Sequence, residues 1–292
     1  MVSLNEFGLM LKKRAHWTHR IIQRSTILRL GVMEETITDM HLFSIADEYN
    51  ENVITRKFNR REEGAISGAD WLWIIGEPGS WLPLLIQAKI INPQTGNCQY
   101  FDYKNGEQRR RLLQYARQHS FVPLYCIYSS IPSNLVLPNR LSGPEQEKED
   151  WACAFLAPKA VRLLSKSGKK SQREILKYSI PWMDPFCLAS NNGDFKGVSI
   201  ANAIMEIRDN SESITKSSPI GKLQKAKTAL QKRTNWENLD TIQSLRTEIP
   251  RTICNWFNNK QSDFMQVPLT GASIISAVPL RQIEELHKYG GR

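Results

Sequence analysis

Two short apolar runs in the first third of the chain carry polar residues where a buried strand normally has none. The runs cover residues 68–75 and 84–91, and a Gly- and Pro-containing break between them predicts a hairpin. Asp70 opens the first run, and Gln87 and Lys89 lie within the second. Because side chains alternate along a strand, Gln87 and Lys89 are expected on the same face, and the hairpin would bring Asp70 near them.

Helical and extended patterns alternate around this hairpin. Apolar residues three or four positions apart predict a helix over residues 34–46, and an apolar run at 53–58 predicts a strand before the hairpin. A second helix is expected at 107–120, followed by a buried strand at 123–128. This order of helix, three strands, helix and strand predicts an α/β fold in which helices flank a mixed sheet.

The remaining segments suggest three regions. Residues 1–30 carry six Lys and Arg side chains and form a basic helical arm, which either packs on the body or contacts phosphates. Residues 31–165 would form the core around the hairpin. Residues 166–292 would form a basic, mostly helical C-terminal extension, either a separate unit or a wrap around the core.

Charge and composition narrow the class of partner. The 292 residues have a formal net charge of +10 and a pI near 9.4, which favours polyanionic partners. Nucleic acid is the first expectation and an anionic membrane surface the second. Five scattered cysteines without a CxxC pair argue against a disulfide framework or a structural zinc site. No apolar stretch approaches the roughly 18 residues of a membrane span, so we expect a cytoplasmic protein that does not enter the membrane.

An acid, an amide and a lysine at one sheet edge predict metal-dependent phosphodiester hydrolysis. Mg²⁺ binds through one or two carboxylates and keeps several waters, so Asp70 is the expected bridging ligand and Gln87 offers a further oxygen. Lys89 could orient or help deprotonate the attacking water and would stabilise developing negative charge. Glu35 could add a second carboxylate from the helix before the hairpin. A buried Asp–Lys ion pair without a catalytic role is the alternative.

These residues resemble the core motif of the PD-(D/E)xK nuclease superfamily. Gln87 follows Asp70 by 17 positions, a separation of the size that this superfamily uses. The Gln-x-Lys form of the motif is similar to the Mrr-type restriction endonuclease branch, which has Gln where most relatives have Glu. By this resemblance Asp70, Gln87 and Lys89 form the catalytic core, and Glu35 matches the acidic residue of the first helix.

Further positions match the superfamily less closely. Gln108 resembles the helix glutamine that RecB-like members place next to the site, although Leu112 stands where those members often have Tyr. Glu34 competes with Glu35 for the role of the helix acid. Glu62 or Glu63 could also reach the site from the charged turn before Asp70.

The resemblance implies a restriction-endonuclease-like fold and a DNA endonuclease that uses Mg²⁺ or Mn²⁺, in bacterial restriction or anti-phage defence. A homodimer, or association with a regulatory partner, would fit two-strand cleavage. The DNA backbone would be contacted by basic residues on the second helix and in the C-terminal region. These residues are Arg109, Arg110, Arg111, Lys225 and Lys227.

The neutral amide of Gln87 keeps a second function open. It lowers the negative charge of the site, and with it the affinity for a metal. The alternative is therefore a non-catalytic nucleic-acid-binding or assembly protein that retains a nuclease-like fold.

Overall fold

A computed structural model describes residues 3–49, 52–77, 80–101, 103–138, 147–189 and 200. Most of the predicted C-terminal extension lies outside these residues, as do Lys225 and Lys227. The described helices are α1 (Leu4–Ile27), α2 (Glu34–Glu48), α3 (Arg60–Glu62), α4 (Tyr103–His119), α5 (Pro158–Lys166), α6 (Gln172–Leu176) and α7 (Asp184–Ala189). The described strands are β1 (Val53–Lys57), β2 (Trp71–Glu77), β3 (Ser80–Ile90), β4 (Val122–Tyr128), β5 (Cys153–Leu156) and β6 (Ser179–Pro181).

The strands form one mixed sheet in the order β1-β2-β3-β4-β5-β6. β3 and β4 pair in parallel, whereas the other neighbouring strands pair antiparallel. A parallel pair needs a crossover connection, and α4 supplies it between β3 and β4. The predicted α/β class is therefore confirmed, and so is the order of helix, three strands, helix and strand.

Each face of the sheet has its own hydrophobic core. Ile86 and Ala88 belong to the core shared with α1, α2 and α7, whereas Leu85 belongs to the core shared with α4 and α5. Since side chains alternate along β3, Gln87 and Lys89 lie on the α4 side. The site residues of β3 are therefore covered by the helix that follows them.

The N-terminal helix packs against the sheet along most of its length. Phe7, Leu11 and Ile22 are fully buried in the same cluster as Trp71 and Phe186. Of the two alternatives for the basic arm, the structure shows the helix packed on the body. The buried side chains of α1 therefore make the N-terminal segment part of the main core.

The sheet also extends past residue 165. β6 pairs with β5, and Phe186 of α7 contributes to the same core as α1. The predicted boundaries at residues 30 and 165 therefore do not mark breaks in this packing.

One basic residue of α1, Arg14, takes part in a hydrogen-bond network inside the protein. Arg14 Nε donates to His41 Nδ1 at 3.0 Å, and His41 Nε2 lies 2.8 Å from the Thr18 hydroxyl. Burial holds the pKa of His41 well below its usual value, so the ring is neutral and accepts the Arg14 hydrogen bond. This network fixes α1 against α2.

Gly68 brings the segment before Asp70 unusually close to α4. It closes the π-helical turn Glu63–Ser67 with a positive φ of 64°. A Cβ on Gly68 would overlap the backbone carbonyl of Gln108 and lie 2.6 Å from the backbone nitrogen of Leu112. The absence of a side chain at Gly68 therefore permits this close approach to the helix that carries Gln108.

Gly68→Ala is expected to destabilise the protein by about 2–3 kcal/mol, because it combines a left-handed backbone with overpacking. Gly64→Ala is the matched control, since a Cβ there meets nothing within 4 Å and Gly64 has no positive φ. Urea unfolding of both variants measures the difference. Equal midpoints for the two variants would show that α4 adjusts freely at Gly68.

Candidate active site

Asp70 is fixed at the start of the hairpin by its backbone. Its amide donates to the Ile86 carbonyl at 2.9 Å, and its carbonyl accepts from the Phe58 amide at 2.8 Å. Its carboxylate oxygen Oδ2 accepts from Gln87 Nε2 at 2.5 Å and from the Ala88 amide at 2.6 Å. The hairpin thus places Asp70 beside Gln87, as the sequence predicts.

Gln87 is fully buried, and only one of the two polar atoms of its side chain has hydrogen-bond partners. Its Nε2 donates to Asp70 and to the Ala88 carbonyl, whereas its Oε1 has no hydrogen-bond partner among the described residues. Reversing the amide would turn Oε1 toward two oxygen acceptors, so the donors on the amide fix this orientation. A buried acceptor without a partner costs about 1–3 kcal/mol. A buried amide oxygen without a partner is one that a bound cation could satisfy.

Lys89 is buried and pairs with the first residue of α2. Its Nζ lies 3.5 Å from Glu34 Oε1, and Glu34 Oε2 accepts from the Ile90 amide at 2.8 Å. Burial lowers the pKa of Lys89, but Glu34 and Asp70 outweigh that effect and the pKa is raised overall. Lys89 is therefore an ammonium at neutral pH, which suits charge stabilisation better than proton abstraction.

Glu34, and not Glu35, is the acid of α2 that pairs with Lys89. Glu35 is exposed and accepts a hydrogen bond from Arg60 Nη2 at 3.0 Å. Successive helical residues point about 100° apart, so only one of the two can face Lys89. The helix begins at Glu34 and directs this first side chain to the end of β3. The structure corrects the assignment of Glu35 accordingly.

Gln108 reaches the site through Glu63. Its Nε2 donates to Glu63 Oε1 at 2.6 Å. Glu62, the other acid named from sequence, instead accepts from Arg56 at 2.7 Å and caps its own helical turn. Burial raises the pKa of Glu63, an effect that Lys89 and Gln87 only partly offset. Glu63 is thus a third carboxylate of the site.

Acids outnumber the single lysine in this cluster. Burial raises the pKa of Asp70 well above its usual range, and the charges of Glu34 and Glu63 raise it further. Burial also raises the pKa of Glu34. In the described residues Lys89 forms its ion pair with Glu34 and none with Asp70. A self-satisfied Asp–Lys pair therefore does not describe this site, which has an excess of carboxylates that a further cation would stabilise.

The donor set suits Mg²⁺ or Mn²⁺. Asp70 offers a carboxylate, and Gln87 Oε1 is an amide oxygen without a partner in the described structure. No three His, Cys, Asp or Glu side chains of the described residues converge as a ready metal cluster. Magnesium commonly uses only one or two carboxylates and keeps several waters. Asp70 and Gln87 would hold the ion, with Glu34 and Glu63 supplying further negative charge.

The three arginines of α4 differ in their accessibility. Arg109 is only 9% exposed, so its guanidinium does not offer a surface contact to a phosphate. Arg111 pairs with Glu107 one turn earlier. Arg110 is exposed and donates to the Asn105 carbonyl at 2.9 Å. Of the three, Arg110 is the one that remains open to a nucleic-acid backbone.

Fold and site together define a mixed α/β protein with three carboxylates and two glutamines around a buried lysine. The chain belongs to a family of unknown function (DUF6615), whose profile matches residues 8–280. A search among curated proteins finds no match to the chain. In the part of the chain that the structure describes, no helix has the length and apolar character needed to cross a membrane.

Proposed function

We propose that the protein is a metal-dependent nuclease of the PD-(D/E)xK type, a cytoplasmic DNA endonuclease of bacterial restriction or anti-phage defence. The observation that carries this proposal is the contact between Asp70 and Gln87 beside a buried Lys89, with an amide oxygen left unsatisfied. A purely structural ion pair would leave neither surplus carboxylates nor a buried amide oxygen without a hydrogen-bond partner.

Each residue has a role that its contacts support. A bound divalent ion would supply Lewis acidity and an activated water, held by Asp70 and Gln87. The Lys89 ammonium would neutralise charge that develops on the phosphate as the phosphorus–oxygen bond breaks. Glu34 positions Lys89 through their ion pair, and its other oxygen is fixed by a backbone amide.

The direct test is cleavage of single-stranded and duplex DNA by the full chain with Mg²⁺, Mn²⁺ or EDTA. We expect cleavage with either metal and none with EDTA. DNA binding without cleavage under either metal would instead favour the non-catalytic binding protein, which the neutral Gln87 makes the second candidate. A homodimer or a regulatory partner would show as activity that depends on protein concentration or on an added component.

Glu34 and Glu35 form a matched pair for a sharper test. Glu34→Gln is expected to lower the cleavage rate about tenfold or more, since Lys89 loses its ionised partner and its position. Glu35→Gln removes the same charge one residue away and should leave the rate within about twofold, because its partner Arg60 lies at the surface. Single-turnover rates with Mn²⁺ measure both. The reverse order would restore Glu35 as the helix acid.

A further inference from the structure

A cleft of about 620 Å³ leads from the surface to the Glu34–Lys89 end of the candidate site. Residues 22–34, from the end of α1 to the start of α2, supply one wall, and residues 89–100, at the end of β3 and beyond, supply the other. Glu34 and Lys89 both line it. The volume lies within the range of small-molecule and nucleotide sites, about 300–1,000 Å³. A group that enters this cleft would therefore reach the buried ammonium.

Large apolar and aromatic side chains stand open on both walls. Leu30 is 76% exposed on the first wall, and Tyr100 is 64% exposed on the second. Tyr103, 47% exposed, contacts the Tyr100 ring edge to face with their centroids 6.2 Å apart. Exposed side chains of this size next to a candidate site are typical of a binding surface.

Positive charge accompanies these rings. Arg29 lines the cleft, is exposed, and has no acidic partner in the described structure. Lys104 Nζ lies 5.6 Å from the centroid of the Tyr103 ring. Aromatic rings interleaved with cations are the usual surface for unpaired nucleic-acid bases, which stack on the rings while the cations follow the phosphates.

The wall that carries Tyr100 is held in place by backbone hydrogen bonds. The Asn92 amide donates to the Asn97 carbonyl at 2.9 Å, which closes the turn after β3. The Cys98 amide donates to the Lys170 carbonyl at 2.9 Å, and the Gln172 amide donates to the Gly96 carbonyl at 2.7 Å. The segment that leads to Tyr100 is therefore anchored to the body of the protein.

We propose that this cleft binds an unpaired nucleotide next to the phosphate that is cleaved, and that the substrate is accordingly single-stranded or locally unpaired DNA. The base would lie between Leu30 and Tyr100, and the phosphate would point toward Lys89 and Arg29. In an intact duplex both faces of a base are covered by its neighbours, so no face would be free for Tyr100. The inference rests on the proposed nuclease function for the position of the phosphate.

Binding measured in EDTA separates this inference from catalysis. A labelled oligonucleotide is titrated with the full chain by fluorescence anisotropy, as a single strand and as a duplex of the same sequence. Tyr100→Ala is expected to weaken binding of the single strand about tenfold and to leave duplex binding within about twofold. Tyr100→Phe keeps the ring and should bind like wild type, and Met40→Ala, which removes an exposed apolar side chain on α2, is the matched control.

An unchanged affinity of Tyr100→Ala for the single strand, or an equal loss for the duplex, would overturn the cleft proposal. Cleavage by wild type together with either result would leave the nuclease proposal standing. The expected Tyr100-dependent binding without cleavage under Mg²⁺ or Mn²⁺ would support the nucleotide cleft and contradict the nuclease.

Discussion

Lys89→Met is expected to abolish DNA cleavage and to destabilise the metal-free protein. The variant keeps an unbranched side chain but leaves three carboxylates, Asp70, Glu34 and Glu63, without their shared cation. Removing one partner of a buried ion pair costs about 3 kcal/mol. Loss of an electrostatic group at the developing charge lowers a rate about a hundredfold to a thousandfold. Cleavage kinetics and urea unfolding in EDTA measure the two effects.

Lys177→Met is the matched control for this experiment. Its ammonium pairs with Glu174 at the surface, where an ion pair contributes little. We expect wild-type cleavage and stability for this variant. Cleavage by Lys89→Met at the rate of the Lys177 control would remove Lys89 from the site.

Asp70→Asn is expected to abolish cleavage as well, but to stabilise the metal-free protein. An asparagine oxygen at this position can still accept from Gln87 Nε2 and the Ala88 amide, while the charge opposed by burial, Glu34 and Glu63 disappears. Relief of such strain at a functional site typically gains about 1 kcal/mol. The two substitutions should therefore move stability in opposite directions.

The effect of Asp70→Asn on stability should depend on pH, and the direction of this dependence follows from the raised pKa of Asp70. The folded-state pKa of Asp70 is raised, so the folded protein binds this proton more tightly than the unfolded chain does. Ionised Asp70 hence opposes folding above its raised pKa, and the penalty is fully relieved below the unfolded value of about 3.9. The stability advantage of Asp70→Asn should therefore be small near pH 4 and grow as the pH rises through the raised pKa of Asp70. Destabilisation by Asp70→Asn at neutral pH would indicate a satisfied structural acid.

The hairpin and its three polar residues could be predicted because their arrangement depends on residues that lie close together in the sequence. A period of two places Gln87 and Lys89 on one face, and a short break between two apolar runs brings Asp70 alongside. The mixed sheet follows from the order of the elements. These features depend on residues within about one supersecondary unit.

The rest of the site depends on contacts that spacing does not encode. The start of α2 at residue 34 is predicted correctly, but the choice between Glu34 and Glu35 depends on how the helix is rotated against the end of β3, which the spacing does not give. Glu63 reaches Gln108 because a π-helical turn, closed by Gly68, lies against α4. Arg109 is buried by tertiary packing, although its neighbours in sequence resemble it in charge.

Calorimetric titration with Mn²⁺ tests the central claim, that the excess of acid around Lys89 is a site for a divalent cation. Wild type in the absence of DNA should bind Mn²⁺, and the affinity should fall as the pH is lowered, because carboxylates with raised pKa values hold their protons more tightly and bind a metal only when ionised. Asp70→Asn should show no binding heat, while Glu35→Gln should match wild type. Equal binding by wild type and Asp70→Asn, or no binding by either, would contradict the account.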